Sequence, residues 1–134
     1  MKDCPFCLEN NLLQSDKVHE SDLWYFVDMY KKESTNSGLA ITKRHIATPF
    51  EINSEEWAQL HDLLPTYKVH IDARELPQGY NLGWNVFTAG GQTVNHAHLH
   101  IVGRYDDEQQ AGRGIRYHFK PAQNPRQSQE RSPS

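Results

Sequence analysis

The sequence predicts an α+β domain, an antiparallel sheet of about five strands with one long helix packed on it and a short second helix. Three observations carry this expectation. Aromatic and β-branched runs at residues 24–28, 39–42, 80–87 and 93–102 are separated by polar or glycine-containing stretches. From Ser54 onward, Trp57, Leu60, Leu63 and Leu64 recur at helical spacing. Ala97, Leu99 and Ile101 alternate with polar residues, the period of a strand with one buried face.

The elements follow in order. Cys4-Pro5-Phe6-Cys7 opens the chain with a two-residue spacer, the half-site of a zinc centre or a redox motif on a thioredoxin-like helix. The redox motif belongs after an apolar strand in a βαβ unit, and no such strand precedes Cys4, so metal is the favoured reading. Trp24-Tyr25-Phe26-Val27 reads as a strand that ends near Asp28, and Leu39-Ala40-Ile41-Thr42 as its hairpin partner across a polar loop, residues 31–38. Ser54 is expected to cap the long helix, with Glu55 and Glu56 favouring its positive end. Pro65 is expected to kink or break it, with a continuation over residues 66–75 before Pro77-Gln78-Gly79 ends it. A third strand over residues 80–87, a glycine turn over 88–92 and a fourth strand over 93–102 complete the pattern. Gly112 to Arg116 reads as an irregular extension that packs near the site. Residues 121–134 contain no large apolar side chain and are expected to form a disordered tail, leaving 1–120 as a single domain.

Composition limits the function. The chain has 134 residues, room for one domain. Fourteen basic against seventeen acidic side chains leave a net charge of −3, which argues against binding nucleic acid by bulk charge. No apolar run approaches the ~18 residues of a membrane span, and the first residues lack the apolar core of a signal peptide. A soluble, cytoplasmic protein is the expectation.

Eight histidines and two cysteines then stand out. His96, His98 and His100 alternate with Ala97, Leu99 and Ile101, so on a strand all three imidazoles would share one face. Such an array serves metal chelation or nucleophilic catalysis. The preceding Gly90-Gly91-Gln92-Thr93 offers free N–H groups and a hydroxyl, which suit phosphate oxygens. A phosphate cradle beside imidazoles suggests attack of histidine on phosphorus. His19, His61, His70 and His118 show no partner pattern, and His61 and His70 are expected to be solvated.

Residues 90–102, Gly-Gly-Gln-Thr-Val-Asn-His-Ala-His-Leu-His-Ile-Val, resemble the signature of the histidine triad (HIT) superfamily, His-φ-His-φ-His-φ-φ with φ apolar. Cys4-x-x-Cys7, Lys43-Arg44-His45 and Asn85 extend the resemblance over roughly residues 4–104, toward the zinc-containing bacterial-type branch and its Hint- and Fhit-like nucleotide hydrolases. The resemblance implies a HIT-like fold and a homodimer. It also implies a nucleotide substrate, a nucleoside phosphoramidate or a dinucleoside polyphosphate, cleaved through a nucleotidyl-histidine. It casts His98 as the nucleophile, His100 as a stabiliser of the scissile phosphate and Gln92 as a companion of the leaving group. Gly91, Thr93 and Asn85 would bind phosphates or sugar, and Asp28 the ribose. Cys4, Cys7, His45 and His96 would bind a structural zinc ion, with no metal needed in catalysis. Many members have proline where this chain has Thr42. Two alternatives stand beside hydrolysis: nucleotidyl transfer to phosphate or a sugar phosphate, and a non-catalytic zinc-stabilised nucleotide-binding module.

Overall fold

The computed structural model describes residues 1–119, so the expected tail lies outside the described residues. Five strands, β1 (Lys17–Glu20), β2 (Trp24–Asp28), β3 (Ser37–Thr42), β4 (Gly79–Trp84) and β5 (His98–Arg104), form one sheet in the order β1-β2-β3-β5-β4. Every pairing is antiparallel. A four-residue helix α1 (Tyr30–Glu33) and a 21-residue helix α2 (Ser54–Arg74) complete the regular elements, with several short 3₁₀ turns. The α+β prediction and its single long helix hold.

The register assigns the two faces of the sheet. Phe26, Ala40 and Leu99 stand opposite one another on β2, β3 and β5, and so face one way. They join Trp24 and Ile101 in a core closed by Leu60, Tyr67 and Ile71 of α2. Phe26 and Tyr67 stack with ring centroids 4.4 Å apart, and the Trp24 indole N–H donates to the Glu56 carbonyl at 2.8 Å. Tyr25, Val27, Leu39 and Ile41 face the other way, against Phe6, Leu8 and Leu13 of the N-terminal arm. The fit is tight at Gly38, where a Cβ would stand 2.2 Å from the Phe26 ring.

Seven local readings are corrected. The cap of α2 is Asn53, not Ser54: its side chain accepts from the Glu56 N–H while Glu56 accepts from the Asn53 N–H, a reciprocal capping box. Pro65 does not break α2; it sits on an exposed face, and the buried residues Leu60, Tyr67 and Ile71 anchor the helix on either side of it. Trp57 is 43% exposed and only flanks the core, where it meets Trp84 edge-on. The third strand stops at Trp84 rather than Phe87, and the fourth begins at His98 rather than Thr93. Finally, the supposed loop after Asp28 holds α1, and β1 adds a strand that no apolar run announced.

Candidate functional site

Three segments converge at the N-terminal end of β5. The first is the N-terminal arm with Cys4, Phe6 and Cys7. The second is the turn after β3, Lys43-Arg44-His45, which two ion pairs hold in place. Lys43 meets Glu20 on β1 at 2.7 Å. Arg44 donates from Nη2 to Glu56 Oε1 at 2.7 Å and from Nε to Oε2 at 3.2 Å. Glu56 is 1% exposed, and its burial raises its pKa; the Arg44 and Asn53 hydrogen bonds outweigh this and leave it below the usual 4.5. The third segment is the stretch before β5, where Ala97 donates its N–H to the Ile46 carbonyl at 2.7 Å.

This convergence brings Cys4, Cys7, His45 and His96 together, with one ligand atom of each inside a span of 4.8 Å. Cys4 Sγ lies 3.3 Å and Cys7 Sγ 3.6 Å from His96 Nδ1, Cys7 Sγ 3.3 Å from His45 Nδ1, and the two Nδ1 atoms 3.2 Å apart. Tetrahedral zinc at its ordinary bond lengths separates neighbouring N and S ligand atoms by roughly 3.3–3.8 Å. These four spacings lie at or near the tetrahedral range and the 4.8 Å span must contract at its widest, so the cluster is compatible with a closed tetrahedral ion. His96 is fully buried, and its Nε2 donates to the Thr42 carbonyl at 2.7 Å, which leaves Nδ1 unprotonated and aimed at the cluster. Burial, with the neighbouring imidazoles, pushes its pKa down to about 4. Thr42, the departure from the common proline, is buried, and its hydroxyl donates to the Arg44 carbonyl at 2.9 Å, tightening the turn that carries His45.

His96 thus leaves the row of imidazoles. It precedes β5 and turns toward the cysteines, whereas His98 and His100 lie on the strand, on the Tyr25 and Ile41 side of the sheet. Their rings are 4.9 Å apart, and Ala97, Leu99 and Ile101 face the helix core as the alternation predicts. His98 Nδ1 donates to the His96 carbonyl at 2.7 Å, so its Nε2 keeps a lone pair. Burial holds both imidazoles below the usual pKa of 6.5, and both are neutral at pH 7. His100 Nε2 is buried with no hydrogen-bond partner among the described residues. Phe6 stands edge-on to His98 at 4.8 Å and to His96 at 6.3 Å. Its carbonyl accepts from the buried Tyr25 hydroxyl, which joins the arm to β2.

The glycine turn before β5 is braced from within. Gln92 Oε1 accepts from the Phe87 N–H at 2.8 Å, and its Nε2 donates to the carbonyls of Ala47 at 2.7 Å and Val94 at 3.0 Å. Both amide hydrogens are spoken for. Phe87 adopts φ 60°, a costly conformation for a side chain of this size, and Gly91 adopts φ 96°. The Asn85 amide lies 3.6 Å from where a Gly91 Cβ would stand, so these two predicted residues meet. Asn85 lines a cavity of about 700 Å³ with Gly90, Arg113 and Ile115; Thr93 lines another of about 370 Å³ with Cys4 and His45. Ile115 approaches to 3.8 Å of the Gly83 Cβ direction, and Gly83 is the β4 partner of His100, so the C-terminal extension does pack beside the triad strand.

Asp28 is not brought to this face. It has the parity of Trp24 and Phe26, ion-pairs with Arg74 of α2, and accepts from the Tyr30 N–H at 2.9 Å. Sequence reasoning missed Phe6, Thr42 and the Arg44–Glu56 pair; only Glu56, three residues after Asn53, carried a readable signal, that of a capping box.

An antiparallel sheet with two neutral histidines on β5, between β3 and β4, beside a Cys₂His₂ cluster, defines the class of the molecule. The HIT domain model matches residues 11–107, and the chain belongs to the HIT family. The chain is 35% identical, over 68% of its length and 80% of the relative's, to an uncharacterized HIT-like protein of Synechococcus elongatus. Among solved structures, a HIT family hydrolase from Clostridium thermocellum is 30% identical with a TM-score of 0.64, covering 81% of this chain and 96% of that one. A member of the HIT family from Bacillus subtilis is 28% identical with a TM-score of 0.66, covering 78% and 75%. Cys4 and Cys7 lie outside the matched domain span. No described helix is long and apolar enough to cross a membrane.

Proposed function

We propose that the protein is a nucleotide hydrolase that cleaves nucleoside phosphoramidates or dinucleoside polyphosphates through a nucleotidyl-His98 intermediate. The observation that carries this reading is the hydrogen bond from His98 Nδ1 to the His96 carbonyl, which leaves a neutral imidazole with Nε2 free to attack. Nε2 bonds to the α-phosphorus, and the P–O or P–N bond to the leaving group breaks with its electron pair, an amine leaving group taking its proton from solvent. Water then adds to phosphorus, the P–N bond to His98 breaks, and a nucleoside monophosphate leaves. His100, whose Nε2 has no hydrogen-bond partner among the described residues, is the donor for a phosphate oxygen. Backbone N–H groups at Gly91 and Thr93, with Asn85 close by, would take the remaining oxygens. Gln92 would act at the leaving group only by exchanging one of its backbone bonds.

Cys4, Cys7, His45 and His96 would hold zinc, and the ion would supply a crosslink between arm, turn and strand, not chemistry. The ribose role of Asp28 requires it to part from Arg74. The partner is a nucleotide, and the family reading extends to a homodimer in the cytoplasm. His98→Ala decides the nucleophile. The expected result is loss of turnover on a nucleoside phosphoramidate and a dinucleoside polyphosphate, with nucleotide binding retained in calorimetry. Turnover equal to that of the unsubstituted protein would remove His98 from the reaction.

A further inference from the structure

The basic segment Gly112-Arg113-Gly114-Ile115-Arg116 has no task in the chemistry proposed above, yet it lies against the triad strand. Arg104, at the end of β5, fixes it there. The Arg104 guanidinium donates to Glu108 at 2.5 Å, to the Asn81 side chain, and to the carbonyls of Gln110 at 2.5 Å and Arg113 at 2.7 Å. Asn81 stands opposite Val102 on β5, as Gly83 stands opposite His100. Val102 shares the face of His100 and lies two residues further on, about 7 Å along the strand. The Arg113 backbone is thus pinned beside the strand position next to the triad.

The Arg113 residue is exposed, and it borders the cavity of about 700 Å³ that Asn85 and Gly90 also line. Two arginines and no carboxylate line this cavity. Arg104 has its charge matched by Glu108. Arg113 forms no ion pair among the described residues: its guanidinium lies over the Tyr117 ring, 4.6 Å from the centroid, and donates from Nη1 to Gln110 Oε1 at 2.9 Å. A stacked guanidinium keeps its edge donors pre-organised for phosphate oxygens. Trp84, Ile115 and Phe119 add an apolar wall. The cavity therefore offers one unmatched cation, the Asn85 amide and an apolar surface, a set that suits a phosphate chain attached to a nucleoside. Its volume falls within the range of sites that take a whole small molecule, about 300–1,000 Å³.

We infer that this cavity receives the departing half of a dinucleoside polyphosphate, with Arg113 on its phosphate chain, and that Arg113 sets a preference for polyphosphates over phosphoramidates. The inference rests on the triad as the place of cleavage. When the P–O bond breaks, the electron pair stays on the bridging oxygen, so the departing nucleoside polyphosphate gains a negative charge. An amine leaving group carries no negative charge away. A cation beside the departing group therefore favours the first reaction over the second. With a net charge of −3 the chain as a whole does not attract a polyanion, and a local cation supplies the selection.

The test compares diadenosine tetraphosphate with adenosine phosphoramidate. Arg113→Gln should lower kcat/KM roughly tenfold more for the first than for the second, the loss of one charge-assisted hydrogen bond. Gln110→Ala removes the same bond within the extension but keeps the cation, and should leave the ratio of the two values as it is. Binding of inorganic tripolyphosphate to the full chain, followed by calorimetry, should weaken by a similar factor in Arg113→Gln. Equal losses on both substrates, an unchanged affinity for tripolyphosphate, or a Gln110→Ala protein that shifts the ratio as far as Arg113→Gln would overturn the inference. If the unsubstituted protein turns over neither nucleotide, the reading of the triad fails separately, and tripolyphosphate binding alone decides the role of Arg113.

Discussion

Gln92→Ala tests whether this residue acts on the leaving group, as the family resemblance implies, or braces the turn, as its hydrogen bonds indicate. The substitution removes three bonds, to Phe87 N–H, Ala47 carbonyl and Val94 carbonyl, of 2.7 to 3.0 Å. At about 1 kcal/mol net per bond the loss approaches 3 kcal/mol. The Phe87 N–H is open to water and recovers part of this, so about 2 kcal/mol is expected. The turn would relax, and the phosphate-facing N–H groups with it. Urea unfolding should therefore show a lower midpoint at unchanged slope. Turnover should fall by a similar factor for substrates with good and poor leaving groups. An unchanged midpoint, together with a turnover defect that grows as the leaving group becomes poorer, would refute the brace and restore the leaving-group role.

Three further outcomes are expected. Cys7→Ser should lower zinc per chain, measured by elemental analysis, and lower the melting temperature. A chelator should do the same to the unsubstituted protein but not to the variant, and equal zinc in both would remove the site. The acid limb of kcat/KM should lie below pH 6.5: His98 must be neutral to attack, burial depresses its pKa, and activity therefore persists as pH falls through 6.5 and is lost only below it. A limb at or above 6.5 contradicts a buried nucleophile. Glu56→Gln should destabilise by about 2 kcal/mol, through the loss of a charge-assisted pair to half-exposed Arg44, while the Gln amide oxygen still accepts from the Asn53 N–H and keeps the capping box. The folded carboxyl has a depressed pKa, so its stabilisation is full above 4.5 and lost as pH falls through the folded value. The two proteins should then converge in acid, and a gap that persists there would assign the effect to shape, not charge.

What could be read in the sequence depended on how far apart the partners lie. The alternation of Ala97, Leu99 and Ile101 needs only neighbouring residues, and it correctly predicted which side of β5 meets the helix. The departure of His96 from the row could not be read that way, since its direction is set by Cys4, 92 residues earlier, and by the Thr42 carbonyl, 54 residues earlier. Pro65 misled because local propensity was weighed without the buried anchors Leu60, Tyr67 and Ile71 that hold α2 together. β1 went unseen because Lys17-Val18-His19-Glu20 is a polar edge whose buried partner, Phe26, belongs to another strand. The side of Asp28, by contrast, was available from period alone: it falls two residues after Phe26 and four after Trp24, and so toward α2.

The triad itself is better described as two functions that meet in one residue. The His96 imidazole points into the cysteine cluster, with its Nε2 tied to Thr42, while the His96 carbonyl accepts from His98 Nδ1 and so selects the tautomer of the second histidine. Phe6, between the two cysteines, closes the same loop from the other side, edge-on to His98. A displacement of the arm would therefore reach His98, the proposed nucleophile, by two short paths, one through a peptide group and one through an aromatic ring. If the proposed roles hold, this is a physical reason for a structural metal site to sit two residues from the nucleophile.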